Sequence, residues 1–223
     1  MSEERIPKFQ PIDPARWPRQ PYFEHYFNTV RCTYSVTANI DVSPLLERCK
    51  ETGVKFNPAM IHCISAAVNR VPEMRVCFDE KDVLGTWDFM SPCYAVFHRG
   101  SETFSNIWTA YADDFHSFHA RYLADIRDYG DADAFFPKPA MPGNYFTISS
   151  VPWIDFTGFN INVFGNGRYL RPIFTMGKYF HENGRKLLPL AVQAHHAVCD
   201  GYHVGRFFEQ VRTFALGSRL WLS

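Results

Sequence analysis

The chain has no charge imbalance: Lys plus Arg and Asp plus Glu each number 23, giving a formal net charge of +0 and a pI near 7.1. Without the basic excess that holds polyanions, no nucleic-acid partner is expected. Near-zero net charge instead favours association, and so an oligomer. The sequence also has no C-x-x-C pair. Its six cysteines, Cys32, Cys49, Cys63, Cys77, Cys93 and Cys199, are scattered, which is neither a disulfide framework nor a zinc ribbon. No apolar run approaches the roughly 18 residues that span a bilayer. The opening stretch MSEERIPKFQPIDPARW is charged and broken by Pro7, Pro11 and Pro14, unlike the apolar core of a secretory signal. These absences lead us to expect a cytoplasmic protein with no membrane partner. No low-complexity linker or internal repeat interrupts the chain, so a single domain over residues 1–223 is expected.

What is present is ample material for a core, since 46% of the 223 residues are hydrophobic. Helical and strand periods alternate throughout, the pattern of an α/β domain. A basic-aromatic segment, Arg16 to Phe27, leads into an expected strand from Cys32 to Asn39, with Cys32, Tyr34 and Val36 on one face. Ser43-Pro44 opens a helix that Gly53 ends, and Asn57-Pro58 opens a second with Ile61, Ile64, Val68 and Val71 as its apolar stripe. Short strands are expected at Gly85 to Trp87, Cys93 to His98 and Thr103 to Trp108. Tyr111, Phe115, Phe118, Tyr122 and Ile126 then mark a long amphipathic helix. Asp131 to Gly143, rich in Pro and small residues, reads as a loop carrying Phe135 and Phe136. Strands recur at Tyr145 to Val151 and Phe159 to Phe164. A hairpin joins Ile173 to His181 with Lys186 to Val198 across Asn183-Gly184, and a last helix from Asp200 runs to Gly217.

Chemistry concentrates in QAHHAVCDGYH, residues 193–203, directly after the apolar stretch Leu187 to Ala194. In an extended chain His196 follows Leu190 and Val192 while His195 follows Ala191 and Gln193, so one of the two is aimed at an apolar side. A neutral imidazole held there suits a general base, because its ordinary pKa of about 6.5 lies near operating pH. Asp200 before Gly201 also reads as a helix N-cap, a role that excludes no other. His195, His196, Cys199, Asp200 and His203 are metal-binding residue types. Adjacent histidines on opposite faces of a strand do not converge readily on one ion, so no metal is expected.

The same stretch resembles the acetyltransferase signature of the chloramphenicol acetyltransferase family, in which paired histidines precede a small residue, two variable positions and Asp-Gly. A shorter version of the signature occurs across the wider superfamily of CoA-dependent acyltransferases. The narrower resemblance rests on RWPRQPYFEHY, CTYSVTANID, SPCYAVFHRGSETFSNIW, ISSVPWIDFTGFNINV and PIFTMGKYF, spaced alike from about Arg16 to Phe208. It implies an α/β two-layer sandwich, a mixed β-sheet covered by helices in the CoA-dependent acyltransferase fold. It also implies acetyl transfer from acetyl-CoA, as co-substrate, to a hydroxyl of chloramphenicol, giving antibiotic resistance, in a homotrimer with active sites between subunits. No tightly bound cofactor is implied. The same chemistry on another small hydroxyl acceptor is the alternative, and a non-catalytic drug-binding protein is disfavoured by the retention of His196 with Ser149.

Carried over position by position, the resemblance makes His196 the general base, Ser149 the donor to the oxyanion and Thr175 its support through water. Asp200 and Arg19 form an ion pair that holds the catalytic loop, with the carboxylate clear of the imidazole. The acceptor pocket is implied around Tyr26, Val30, Cys32, Tyr34 and Phe104. Phe136, Phe159, Ile161, Tyr169 and Ile173 complete it. An apolar, aromatic lining of this kind suits a nitrophenyl ring. Along an extended strand Ile173, Thr175 and Tyr179 share a face and are expected to line one cavity. Lys55, Trp153 and Tyr179 match CoA-contacting positions. His25, Asp155 and Asn57, the last in place of a common tyrosine, depart from the family pattern.

Overall fold

The computed structural model describes residues 5–163 and 167–223. In chain order the strands are β1 (Phe9–Pro11), β2 (Thr33–Asp41), β3 (Val76–Phe78), β4 (Leu84–Trp87), β5 (Ser91–His98), β6 (Thr103–Trp108), β7 (Tyr145–Ser150), β8 (Ile173–Met176), β9 (Phe180–Glu182) and β10 (Arg185–His195). The helices are α1 (Gln20–Phe23), α2 (Ser43–Thr52), α3 (Phe56–Asn69), α4 (Phe115–Tyr129) and α5 (Gly201–Leu216). A seven-stranded mixed sheet runs β2-β10-β8-β7-β5-β6, with β9 paired to β10, and a separate three-stranded sheet runs β1-β4-β3.

Register explains why the large sheet carries helices on one face and polar groups on the other. Val36 on β2 stands opposite Val192 on β10, which stands opposite Phe174 on β8; the row continues through Ile148, Tyr94 and Ile107. Phe174, Ile148, Tyr94, Ile107 and Val192 are all buried within the core. One residue along, the pleat turns to the opposite face, and there Thr37, Ala191, Thr175 and Ser149 stand in line. α3 is buried on every side from Pro58 to Val68, as expected of a helix that is apolar all round. It packs against α2, α4 and α5.

Several boundaries follow local chemistry. Gly53 ends α2 at φ +72, and Asn183 and Gly184, at φ +48 and +75, form the two-residue turn between β9 and β10. α4 begins later than its aromatic stripe suggests, because Asp114 caps it by accepting from the Ser117 N–H at 2.8 Å, leaving Tyr111 outside. One expected strand is interrupted and another does not form. The first hairpin arm breaks after Met176, where a Cβ on Gly177 would come within 2.9 Å of the Phe156 ring. The Lys178 N–H there leaves the sheet for the carbonyl of Ile154, so Tyr179 does not share the strand face of Ile173 and Thr175. Residues 159–163 are irregular, and Phe164 lies outside the described residues. β7 and β8 are adjacent and parallel, so the chain between them must cross over and has no slot between them for a strand.

Candidate active site

β10 ends at His195, so the pleat aims His195 but not His196. His195 continues the face of Ala191 and Gln193 and is 3% exposed. Burial and the neighbouring His196 hold its pKa down to about 4. Its Nδ1 accepts from the Ala197 N–H at 3.2 Å, which fixes a neutral ring with the proton on Nε2. His196 opens the turn that follows. Its backbone N–H donates to the Cys32 carbonyl at 2.9 Å. Its ring lies flat on Tyr26, centroids 3.9 Å apart and planes 13° from parallel, with Tyr34 at 5.2 Å.

Tyr26 reaches that position from a π-helical turn, Glu24–Thr29, in which the Val30 N–H bonds the His25 carbonyl at 2.9 Å. Such turns often occur at functional sites. Tyr34 is anchored by its hydroxyl, which donates to the Cys199 carbonyl at 3.0 Å. Val30 closes the turn as an exposed residue, and His25 beside Tyr26 is exposed as well.

Asp200 holds the turn together. Arg19 grips its carboxylate with two hydrogen bonds, 2.6 and 2.9 Å, and reaches the His196 carbonyl at 3.5 Å. The guanidinium holds the Asp200 carboxyl below the usual carboxylate range. The resemblance places this carboxylate clear of the imidazole. In the structure Asp200 Oδ1 comes within 3.3 Å of His196 Nδ1, although Nδ1 is buried without an aligned hydrogen bond. Nε2 is thus the nitrogen left for an acceptor. Asp200 is also the N-cap of α5: its N–H donates to His203 Nδ1 at 2.9 Å and its carbonyl accepts from Val204. His203 Nε2 in turn faces Glu73 Oε1 at 3.6 Å. In the sequence His203 stands out only as a metal-binding residue type. The readable signal of its capping role is its place three residues after an N-cap Asp, the spacing of a reciprocal cap. Among the described residues no group of three or more His, Cys, Asp or Glu side chains is arranged to hold a metal ion.

A second group gathers around Ser149. A cavity of about 530 Å³ is lined by Ser149, Ser150, Ala95, Phe97, Arg99, Phe104, Pro152 and Trp153. Beside it a cavity of about 450 Å³ shares Ala95, Ser150 and Pro152 and adds Phe56, Asn57, Met176, Gly177, Lys178, Tyr179 and Leu188. Trp153 is 60% exposed and packs edge-on against Phe97 at 5.0 Å. Lys55 stands exposed at the N-terminal end of α3, next to the residues that line the second cavity. Asn57 turns its amide toward the Tyr122 hydroxyl at 3.4 Å, and Asp155 is exposed.

The residues expected to surround one acceptor therefore fall into separate places. Tyr26, Cys32 and Tyr34 meet His196, while Phe104 lines the Ser149 cavity. Phe136 continues outward from Phe104 through Phe135. Ile173 and Thr175 are buried on β8, and the Tyr169 hydroxyl lies 3.4 Å from the Thr147 hydroxyl. Phe159 and Ile161 are half-buried in the crossover, Phe159 against Phe156 at 5.2 Å.

The chain matches the family described as "Chloramphenicol acetyltransferase" over residues 7–212. A chloramphenicol acetyltransferase of Clostridium perfringens is 52% identical over 215 residues, covering 96% of this chain and 98% of that protein. One of Clostridium butyricum is 49% identical over 214 residues, covering 96% and 98%. A solved chloramphenicol acetyltransferase structure superposes with a TM-score of 0.84 at 22% identity, over 93% of this chain and 100% of that one. The dihydrolipoamide acetyltransferase of Azotobacter vinelandii shares the fold, with a TM-score of 0.66 at 17% identity over 91% and 88%.

Proposed function

Because the chain belongs to the chloramphenicol acetyltransferase family, we propose that it transfers an acetyl group from acetyl-CoA to a hydroxyl of chloramphenicol. The observation that carries this reading is the state of His196. Its ring is clamped flat by Tyr26 and its Nδ1 is buried against Asp200, while the side chain remains 30% exposed. An imidazole held this way presents Nε2 to a hydroxyl, the geometry a general base needs.

In the proposed reaction Nε2 takes the acceptor's hydroxyl proton, and the acceptor oxygen attacks the thioester carbonyl carbon. Ser149 donates a hydrogen bond to the oxyanion as it forms, and Thr175, its neighbour on the polar row, supports it. Collapse expels the CoA thiolate, which recovers the proton from His196. Trp153 and Tyr179, on the two adjoining cavities, and Lys55 beside them are assigned to CoA. The residues around His196 and Phe104 are assigned to the acceptor.

This scheme needs a second copy of the chain. Ser149 is opposite Thr175, which is opposite Ala191, so Ser149 lies two strands across and five residues along from His196. At about 4.8 Å per strand and about 3.3 Å per residue, the two are roughly 19 Å apart. The base must reach the attacking hydroxyl and the donor the carbonyl oxygen, so both must lie within hydrogen-bonding range of groups on one tetrahedral centre. A site shared between neighbouring copies resolves the mismatch, which supports an oligomer, and the family resemblance implies that it is a homotrimer. Acetyl-CoA turnover over a panel of hydroxyl acceptors tests the assignment. Chloramphenicol should give the highest kcat/KM, and a better small alcohol would transfer the same chemistry to another acceptor.

A further inference from the structure

Lys138 belongs to none of the groups described so far, yet its ammonium is fully employed. It donates to Asp125 Oδ1 at 2.6 Å and to the Trp108 carbonyl at 3.0 Å, and it lies over the Trp108 ring at 3.7 Å. Asp125 on α4, 8% exposed, gives its other oxygen to the Thr109 hydroxyl at 2.7 Å. A carboxylate only accepts, so the Thr109 proton is committed to Asp125, and the Tyr94 hydroxyl, 2.8 Å away, must donate to Thr109. Tyr94, Thr109, Asp125 and Lys138 thus form one chain with a single proton order, running from β5 past the end of β6 to α4 and the loop.

The loop it reaches has no helix or strand but is held along its length. The Asn106 N–H donates to the Phe135 carbonyl at 2.8 Å, Ser105 Oγ lies 2.7 and 2.9 Å from the carbonyls of Ala132 and Ala134, and the Trp108 indole donates to Pro139 at 3.3 Å. Between these ties sit Phe135 and Phe136, each 55% exposed. Phe135 packs on Phe104 at 5.6 Å and on Phe136 at 4.6 Å, and Phe104 is a wall of the Ser149 cavity.

We propose that Lys138, through its ion pair with the buried Asp125 carboxylate, is a positioning residue that sets the Phe104–Phe135–Phe136 wall and thereby the affinity and width selectivity of the acceptor site. This rests on the acetyl-transfer reading above. An ion pair is a poor choice where stability alone is required, because apolar side chains of similar volume often do as well or better. It does fix direction, since three directed contacts at one nitrogen do not slide as an apolar contact does.

The test is the double variant Lys138→Met/Asp125→Leu in the full chain, which leaves no unpaired buried charge. Its KM for chloramphenicol should rise about tenfold, with kcat and the KM for acetyl-CoA unchanged and bulkier acceptors less disfavoured. Hydrogen exchange at residues 131–140 should quicken while β5 and β7 keep their protection, a readout independent of turnover. Asp125→Asn, which keeps the shape, should give a smaller rise of the same kind and serves if the double variant does not fold. An unchanged acceptor KM with unchanged loop exchange overturns the proposal, and so does a parallel change in both substrates' KM. Absence of turnover in the wild-type chain would sink the acetyl-transfer reading, and the exchange measurement would still decide the tether.

Discussion

Adjacent histidines with the same side chain are given opposite surroundings by the point at which a strand stops. His195, the last residue of β10, is buried with Nδ1 satisfied, whereas His196 is turned out and stacked by Tyr26. His196→Ala should therefore lower kcat about 100- to 10,000-fold, while His195→Ala keeps a substantial fraction of activity. A second readout separates them. The His195 pKa of about 4 lies below the ordinary value of about 6.5. The unfolded chain thus binds a proton that the folded chain refuses as pH falls from 6.5 toward 4. The stability from a neutral His195 is complete above 6.5 and lost through that window, so His195→Ala should flatten the dependence of Tm on pH there. Equal residual activity in the two folded variants would remove His196 as the base. Alternation along the strand set the two histidines on opposite faces, but it could not show that the strand ends before His196. Nor does a sequence period reveal a π-helical turn, because one extra residue in a turn leaves no repeat to read.

At the scale of elements, the junction between β10 and α5 depends on a partner 181 positions away in the chain, since Arg19 closes on Asp200. Removing one member of such a pair strands the other, a loss of about 3 to 5 kcal/mol when fully buried and less here, where Asp200 is 31% exposed. Asp200→Asn and Arg19→Ala should each lower Tm together with turnover, and the double variant should lose less than the sum. The Asp200 Oδ1 to His196 Nδ1 approach of 3.3 Å adds a contrast: Asp200→Asn should lower kcat further than its loss of Tm accounts for, more than Arg19→Ala does. A double-mutant cycle followed by melting and by turnover decides this, and strictly additive Tm losses would tell against the pair. Elements with several turns or alternations, such as α2, α3, β6 and β7, were readable from the sequence because their periods repeat. β1 and β3, at three residues each, are too short to show one. The Phe159, Ile161 alternation misled because periodicity carries no information about which neighbouring strands leave room.

For the whole molecule, the polar row on the open face of the sheet and the turn after β10 are legible separately, and only register shows that one copy keeps them apart. Ser149 and His196 stand two strands and five residues from each other, so the proposed reaction takes its base from one copy and its oxyanion donor from the next. In the proposed homotrimer that interface is heterologous: each copy offers one half of the site on one side and the other half on its other side, and three copies close a ring. Each site then depends on an ordered pair of neighbours, which gives the arrangement a signature that no single substitution has. Chains carrying His196→Ala and chains carrying Ser149→Ala should each be nearly inactive as pure oligomers. Unfolded together in equal amounts and refolded, they should regain activity, because a Ser149→Ala chain still supplies His196 to a site where a His196→Ala chain supplies Ser149. Random assortment in a ring makes about a quarter of the sites complete, so about a quarter of wild-type turnover should return. Distinct tags on the two chains would verify by mass that mixed oligomers formed. Mixed oligomers no more active than their parents would place base and donor in the same copy, and would require the sheet to bend far from the register that now separates them.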